Sequence, residues 1–171
     1  MNYFLIMPYT IAIFPKFDEN KQIQKIREQY DPSYNFIETH IALVYYFDKK
    51  PSKNKLFEIS KSLNSFHIKL DFIKASPEGN FIFLDVAEGK EKILNLNEKL
   101  YQELGLKWDK PFPYEPHITL GNLNSKEERD DVFKKIKPFE FNISLEIDSF
   151  TLLEVSQDLK KIVHTIDFTF S

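Results

Sequence analysis

The segments Glu38-Thr39-His40-Ile41-Ala42-Leu43 and Glu115-Pro116-His117-Ile118-Thr119-Leu120 read almost alike and lie 77 positions apart. Each places a histidine near the start of an apolar, strand-like run. Side chains alternate between the two faces of a strand, so residues i and i+2 share one. His40 therefore shares a face with Ala42, and His117 with Thr119, while Ile41, Leu43, Ile118 and Leu120 turn the other way. A fold that brings the two strands together also brings two imidazoles together. Such groups titrate near pH 6.5 and are suited to act as base and acid in one reaction.

The repeat extends beyond these strands. Shifting Phe4-Leu5-Ile6-Met7 by 77 positions lands on Phe81-Ile82-Phe83-Leu84. Tyr3 to Phe14 reads as a strand region interrupted by Pro8, and Glu19 to Tyr30 as a helix ended by Asp31-Pro32-Ser33. The first histidine strand runs from about His40 to Phe47, and Lys53 to Leu63 has helical spacing. Phe66 to Ile73 and Asn80 to Val86 read as two strands. Gly89 to Leu104 is a helix with the stripe Ile93, Leu96, Leu100 and Leu104, stopped by Gly105. The second histidine strand covers Pro116 to Leu120. Ser125-Lys126-Glu127-Glu128 reads as a capping box opening a helix to about Ile136. Phe139 to Glu154 and Lys161 to Phe170 alternate as a closing antiparallel hairpin. A strand–helix–strand unit used twice implies a pseudo-two-fold molecule with both histidine strands facing one cleft.

Bulk properties narrow the function. With 171 residues, 42% hydrophobic and 15% aromatic, the chain reads as one domain, 1–171, of two pseudo-repeat lobes, roughly 1–75 and 76–171. The net charge of -3 argues against a broad footprint for long duplex nucleic acid. The absence of Cys excludes disulfides and thiolate sites, and the four glycines form no phosphate-cradling loop. No run is long enough for a membrane span, and Met1 to Phe14 lacks a basic signal-peptide n-region, so a cytoplasmic protein, monomeric and without membrane partners, is expected. His67 and His164 lie outside the repeat and read as surface or packing residues.

The order strand, helix, His-Ile-x-Leu strand, then the same again, resembles the 2H phosphoesterase superfamily, particularly its 2′-5′ RNA ligase-like branch. Pro116-His117-Ile118-Thr119-Leu120-Gly121 carries the second His-x-Thr/Ser motif in full. The resemblance implies an α+β, bilobal fold with two antiparallel sheets flanking a central cleft and helices outside. It also implies metal-free and cofactor-free phosphodiesterase chemistry on 2′,3′-cyclic or 2′-5′ linked ribose phosphates, at an RNA end or in a small cyclic nucleotide or oligonucleotide. On that carry-over His40 and His117 are catalytic and Thr119 binds phosphate, with the division between base and acid open.

The chain departs from the pattern at three places. Ala42 stands where the first motif has a hydroxyl, Asn122 where relatives often have a basic residue, and Tyr45-Tyr46 where they have an aromatic followed by proline. Tyr45 and Asn122 remain candidate substrate contacts, and core packing is the other reading of Tyr45. Ala42 opens an alternative: a catalytically weak or inactive nucleotide- or RNA-binding module that keeps the cleft. Glu38 and Glu115, each two residues before a histidine, are solvated charges, carboxylate partners of the imidazoles, or members of a Glu/His metal set; sequence leaves the three open.

Overall fold

The computed structural model describes residues 8–16 and 21–171. The expected strand over Tyr3 to Met7 and the first residues of the expected helix from Glu19 lie outside them. In chain order the elements are β1 (Tyr9–Ile13), α1 (Lys21–Tyr30), β2 (Ile41–Phe47), α2 (Lys53–Lys61), β3 (Phe66–Ala75), β4 (Phe81–Glu88), α3 (Lys90–Leu104), β5 (His117–Asn122), α4 (Lys126–Ile136), β6 (Ile143–Ile147), β7 (Ser149–Val155) and β8 (Ile162–Thr169). The fold is α+β, as the sequence implied.

Local chemistry explains the boundaries. β1 begins directly after Pro8, which has no N–H to give to a ladder. Gly105, at φ 65°, ends α3 in the left-handed conformation. Its N–H donates to Gln102 and that of Leu106 to Tyr101, so two orphan carbonyls of the last turn are satisfied. Ser125 caps α4 by accepting from Glu128 N–H at 3.1 Å. The expected return bond of the capping box is displaced by one residue, because the Glu128 carboxylate accepts from Asn124 N–H at 3.0 Å.

Among the described residues the strands form one antiparallel sheet in the order β6-β3-β4-β5-β2-β1-β7-β8. Its two four-stranded halves meet where β2 and β5 touch, through the single pair Ile41–Ile118. Those positions are 77 apart, so each residue faces its own repeat counterpart and the pseudo-dyad passes between them. β3 precedes residue 76 in sequence yet pairs with β4, and β7 pairs with β1. Each half of the sheet therefore takes strands from both halves of the chain.

The Phe139 to Glu154 run is not one arm of a hairpin. It splits at Asp148 into β6, which pairs with β3, and β7, which pairs with β1 and β8. β6 is one edge of the sheet and β7 is next to the other. A single residue joins them, so the two ends of the sheet must come within about two Cα steps of roughly 3.8 Å each. That connection requires the strong curl that makes the sheet a half-barrel.

All four helices pack on one face. Ile23 and Ile26 of α1, Leu56 and Ile59 of α2, Ile93, Leu96 and Leu100 of α3, and Val132 and Ile136 of α4 join Ile41, Leu43, Ile118 and Leu120 in one apolar cluster. α1 lies over β5 and α3 over β2. Gly121 permits the first crossing, since a Cβ there would stand 3.2 Å from the Tyr30 side chain. The opposite face is left to the histidines.

Candidate active site

His40 immediately precedes β2 and His117 opens β5, each entering from a loop. In both cases the chain folds back so that the carbonyl two residues earlier meets the ring. His40 Nδ1 lies 2.8 Å from Glu38 O, and His117 Nδ1 lies 2.7 Å from Glu115 O. A carbonyl only accepts, so Nδ1 carries the proton in both rings and Nε2 is left for chemistry. The expected alternative of carboxylate partners is replaced by main-chain carbonyls, and both glutamate side chains are exposed. Among the described residues no group of three or more His, Asp and Glu side chains is arranged to hold a metal.

Register fixes the opposing groups. Continuing antiparallel pairing one step either side of Ile41–Ile118 sets His40 across from Thr119 and Ala42 across from His117. The hydroxyl and the methyl thus occupy equivalent positions about the dyad. Ala42 itself pairs with buried Ala12 of β1.

β2 reaches this arrangement through irregular pairing. Its register with β1 shifts twice, and its carbonyls are taken by side chains: Ala42 O by Tyr114 at 2.7 Å, Leu43 O by Asn97 at 2.6 Å and Val44 O by Thr10 at 2.6 Å. Buried carbonyls released from a ladder need such donors. Tyr45, a candidate substrate contact in the sequence, is half-buried. Its ring packs 5.4 Å from Trp108, which also meets Tyr101 and Tyr114.

β5 is irregular as well. Phe83 pairs with Thr119 and Ile82 with Gly121, so Leu120 is an extra residue, and Asn122 comes opposite Phe81. Strict alternation from His117 would turn Asn122 to the helix face. The bulge returns it to the face of His117 and Thr119.

The surroundings of the two histidines differ. Ahead of His40, the buried Arg27 guanidinium donates to Asp31 at 2.9 Å, to the Thr39 hydroxyl at 2.9 Å and to Ile37 O at 2.9 Å. This clamp holds the segment whose Glu38 carbonyl orients the ring. His117 instead faces Asp85 of β4 across the ladder, and Phe83 lies against it with ring centroids 3.7 Å apart. Asp85 is buried between Lys74 and Lys90, and Lys90 also reaches Glu115 at 3.8 Å.

Burial lowers the pKa of both histidines, since a half-enclosed ring loses hydration that the cation needs. His117 is carried down to about 4; its carbonyl bond, Glu115 and Asp85 oppose the shift, while the positive charge of His40 adds to it. His40 is also lowered by burial, against its bond to Glu38.

Sequence reasoning missed Phe83, Asp85, Lys74, Lys90 and Arg27. One signal was present: Asp85 is the single charge in Phe81-Ile82-Phe83-Leu84-Asp85-Val86, two residues from Phe83 and four from Phe81, in phase with both. His67 and His164 are exposed, away from the dyad, as expected.

Residues 15–159 match the family model described as the 2′-5′ RNA ligase superfamily. The chain belongs to that superfamily. Relatives from the 2′-5′ RNA ligase superfamily include a Bacillus licheniformis protein named "Putative phosphoesterase", 32% identical over 86% of this chain and 89% of its own. A protein of the same designation from Oceanobacillus iheyensis is 30% identical over the same shares. The crystal structure of apo LigT from E. coli superposes with a TM-score of 0.59 at 16% identity, covering 95% of this chain and 98% of LigT. The curled sheet with four helices is thus the LigT-like fold of the superfamily, and the chain is a phosphoesterase-type member of it. No described helix is long and apolar enough to cross a membrane.

Proposed function

We propose that this chain is a metal-independent phosphodiesterase of 2′,3′-cyclic or 2′-5′ linked ribose phosphates, with His40 and His117 as its proton-transfer groups. The observation that carries the reading is the matched pair of imidazoles about the Ile41–Ile118 dyad, each with Nδ1 tied to a carbonyl. Crystal structures of LigT in complex with 3′-AMP, NADP+, ATP and phosphate support a small nucleotide ligand.

The asymmetry of the pair suggests the division of labour. The positive charge of His40 is among the causes that lower His117, so in the singly protonated pair the proton is assigned to His40 and His117 is the neutral ring. Neutral His117 then takes a proton from water as it attacks phosphorus. Protonated His40 donates to the ribose oxygen as its P–O bond breaks. Thr119 gives a hydrogen bond to a non-bridging oxygen as negative charge builds there. Tyr45, its ring packed on Trp108, and Asn122, on the histidine face, are the further residues placed against the substrate.

Ala42 favours one competing reading, a nucleotide- or RNA-binding module without turnover. Assay of 2′,3′-cyclic mononucleotides and a 2′-5′ linked dinucleotide in EDTA, with wild type beside His40→Ala and His117→Ala, separates the two. Turnover that survives the chelator and is lost in both variants supports the enzyme. Binding by calorimetry without turnover assigns the chain to the module.

A further inference from the structure

The face that carries His117 continues along β4 as a line of aromatic rings. Phe83 lies against the imidazole, with centroids 3.7 Å apart and planes inclined at 32°. Phe81 stacks on Phe83 at 5.8 Å, with planes only 16° apart. Both phenylalanines point to the histidine face, because their ladder partners are Thr119 and Asn122 while Ile82 and Leu84 are buried among the helices. Phe81 is 37% exposed, although a neighbouring position in the core would remove a Phe ring from water altogether. Apolar surface held in the open beside a reactive pair is a feature of binding sites rather than of packing. Directly across from Phe81 stands the exposed amide of Asn122, which can both donate and accept.

We propose that Phe81 and Phe83 form a nucleobase platform, on which the base of the nucleoside on the His117 side of the reacting phosphate stacks, with Asn122 at its edge. The inference rests on the proposed nucleotide substrate and names the part of it that is held. A flat, neutral, parallel pair of rings suits a base rather than an aliphatic tail, which gains nothing from alignment of the planes. Lys74, the β3 partner of Phe83, is held by Asp85. Charge recognition is thereby left to the phosphate end, and stacking to the base end. Every base offers a π-face, so the platform binds all four with modest preference, and purines, with the larger face, bind tighter than pyrimidines.

The test compares affinities by calorimetry for adenosine 3′-monophosphate, cytidine 3′-monophosphate and ribose phosphate lacking a base. Base–aromatic stacking is typically worth about 1–3 kcal/mol per base, so wild type should favour the adenosine compound over ribose phosphate by about five- to hundred-fold. Phe81→Leu keeps apolar volume and removes the aromatic face. It should collapse that ratio toward one, while Phe139→Leu, an exposed Phe just beyond α4, keeps it. Equal affinity of wild type for nucleotide and ribose phosphate, or an unaltered ratio in Phe81→Leu, overturns the platform even if cyclic nucleotides are turned over. Failure of every phosphorylated probe to bind overturns both the platform and the nucleotide reading beneath it. Should Phe81→Leu fail to fold, Asn122→Ala is the second arm; it is expected to narrow the adenosine-to-cytidine preference, and no change in that preference counts against the platform.

Discussion

Replacing Ala42 by Thr restores the hydroxyl that the dyad lacks, and its effect follows from position. Residue 42 stands one step past the Ile41–Ile118 pair, as Thr119 stands one step past it on the other strand. A hydroxyl at 42 therefore addresses the phosphate from the side opposite to Thr119. A hydrogen bond to a charged group is worth about 1.5–3 kcal/mol, so kcat/KM should rise by about ten- to a hundred-fold. The side chain has room, since the neighbour of Ala42 across β1–β2 is the small Ala12 and residue 42 is itself half-exposed. Thr is also a better strand former than Ala, so stability should not fall. The assay is kcat/KM for a 2′,3′-cyclic nucleotide in EDTA, with Ala42→Val as a branched control lacking the hydroxyl. Thr119→Val should lose a similar factor from the other side. If Ala42→Thr and Ala42→Val match each other, whether both equal wild type or both shift equally, the hydroxyl argument is refuted and only shape is being read.

Under the proposed mechanism the pair of histidines sets the pH response. Burial lowers both imidazoles and their charges repel, so the state with one ring neutral and the other charged is reached below the ordinary imidazole value and kcat/KM should peak below pH 6.5; an alkaline optimum would remove the two-histidine assignment. Stability follows with a definite sign: His117 protonates at 6.5 when unfolded but only near 4 when folded, so the unfolded chain binds the extra proton in that window. Folding stability is then lost as pH falls from 6.5 to 4, by at most about 3 kcal/mol, and urea titrations of His117→Asn should show a shallower slope than wild type. Arg27→Leu strands the buried Asp31 and two acceptors, which should cost about 3 kcal/mol in urea denaturation and lower kcat through a misplaced His40; a neutral result would mean the clamp holds nothing. Gly89→Ala puts a Cβ 2.3 Å from His67 O at φ 74°, and a loss of less than about 1 kcal/mol in the same measurement would contradict that geometry.

The repeat was legible in the sequence because the dyad sets Ile41 on Ile118, so equal sequence in the two copies serves equal positions in space. α3 was legible for a local reason: its apolar stripe and its Gly105 stop need no distant partner. The Asp148 break needed knowledge of distant partners, yet it left a trace. Ile143, Leu145 and Ile147 are in phase, whereas Phe150 and Leu152 are one residue out of phase with them. The histidines could be named from their motifs. Asp85, Phe83 and Arg27 could not, since their roles arise from cross-strand register and from a helix-to-loop contact that no local spacing encodes. The bulge at Leu120 is of the same kind, and it alone decides that Asn122 shares a face with His117.

The interleaving of the strands has a consequence for how the molecule can fail. β3 comes from the first repeat and completes the half that holds His117, while β7 and β8 come from the end of the chain and complete the half beside His40. The His117 half, β3 to β6, is one continuous stretch, whereas the His40 half joins β1 and β2 to β7 and β8 across the whole of that stretch. The two histidine sites therefore differ in how they fail: fraying at either end of the described chain dismantles the His40 half first. A partly denatured molecule that keeps one histidine site has a continuous segment from which to build it, residues 66–147, and the histidine it keeps is His117.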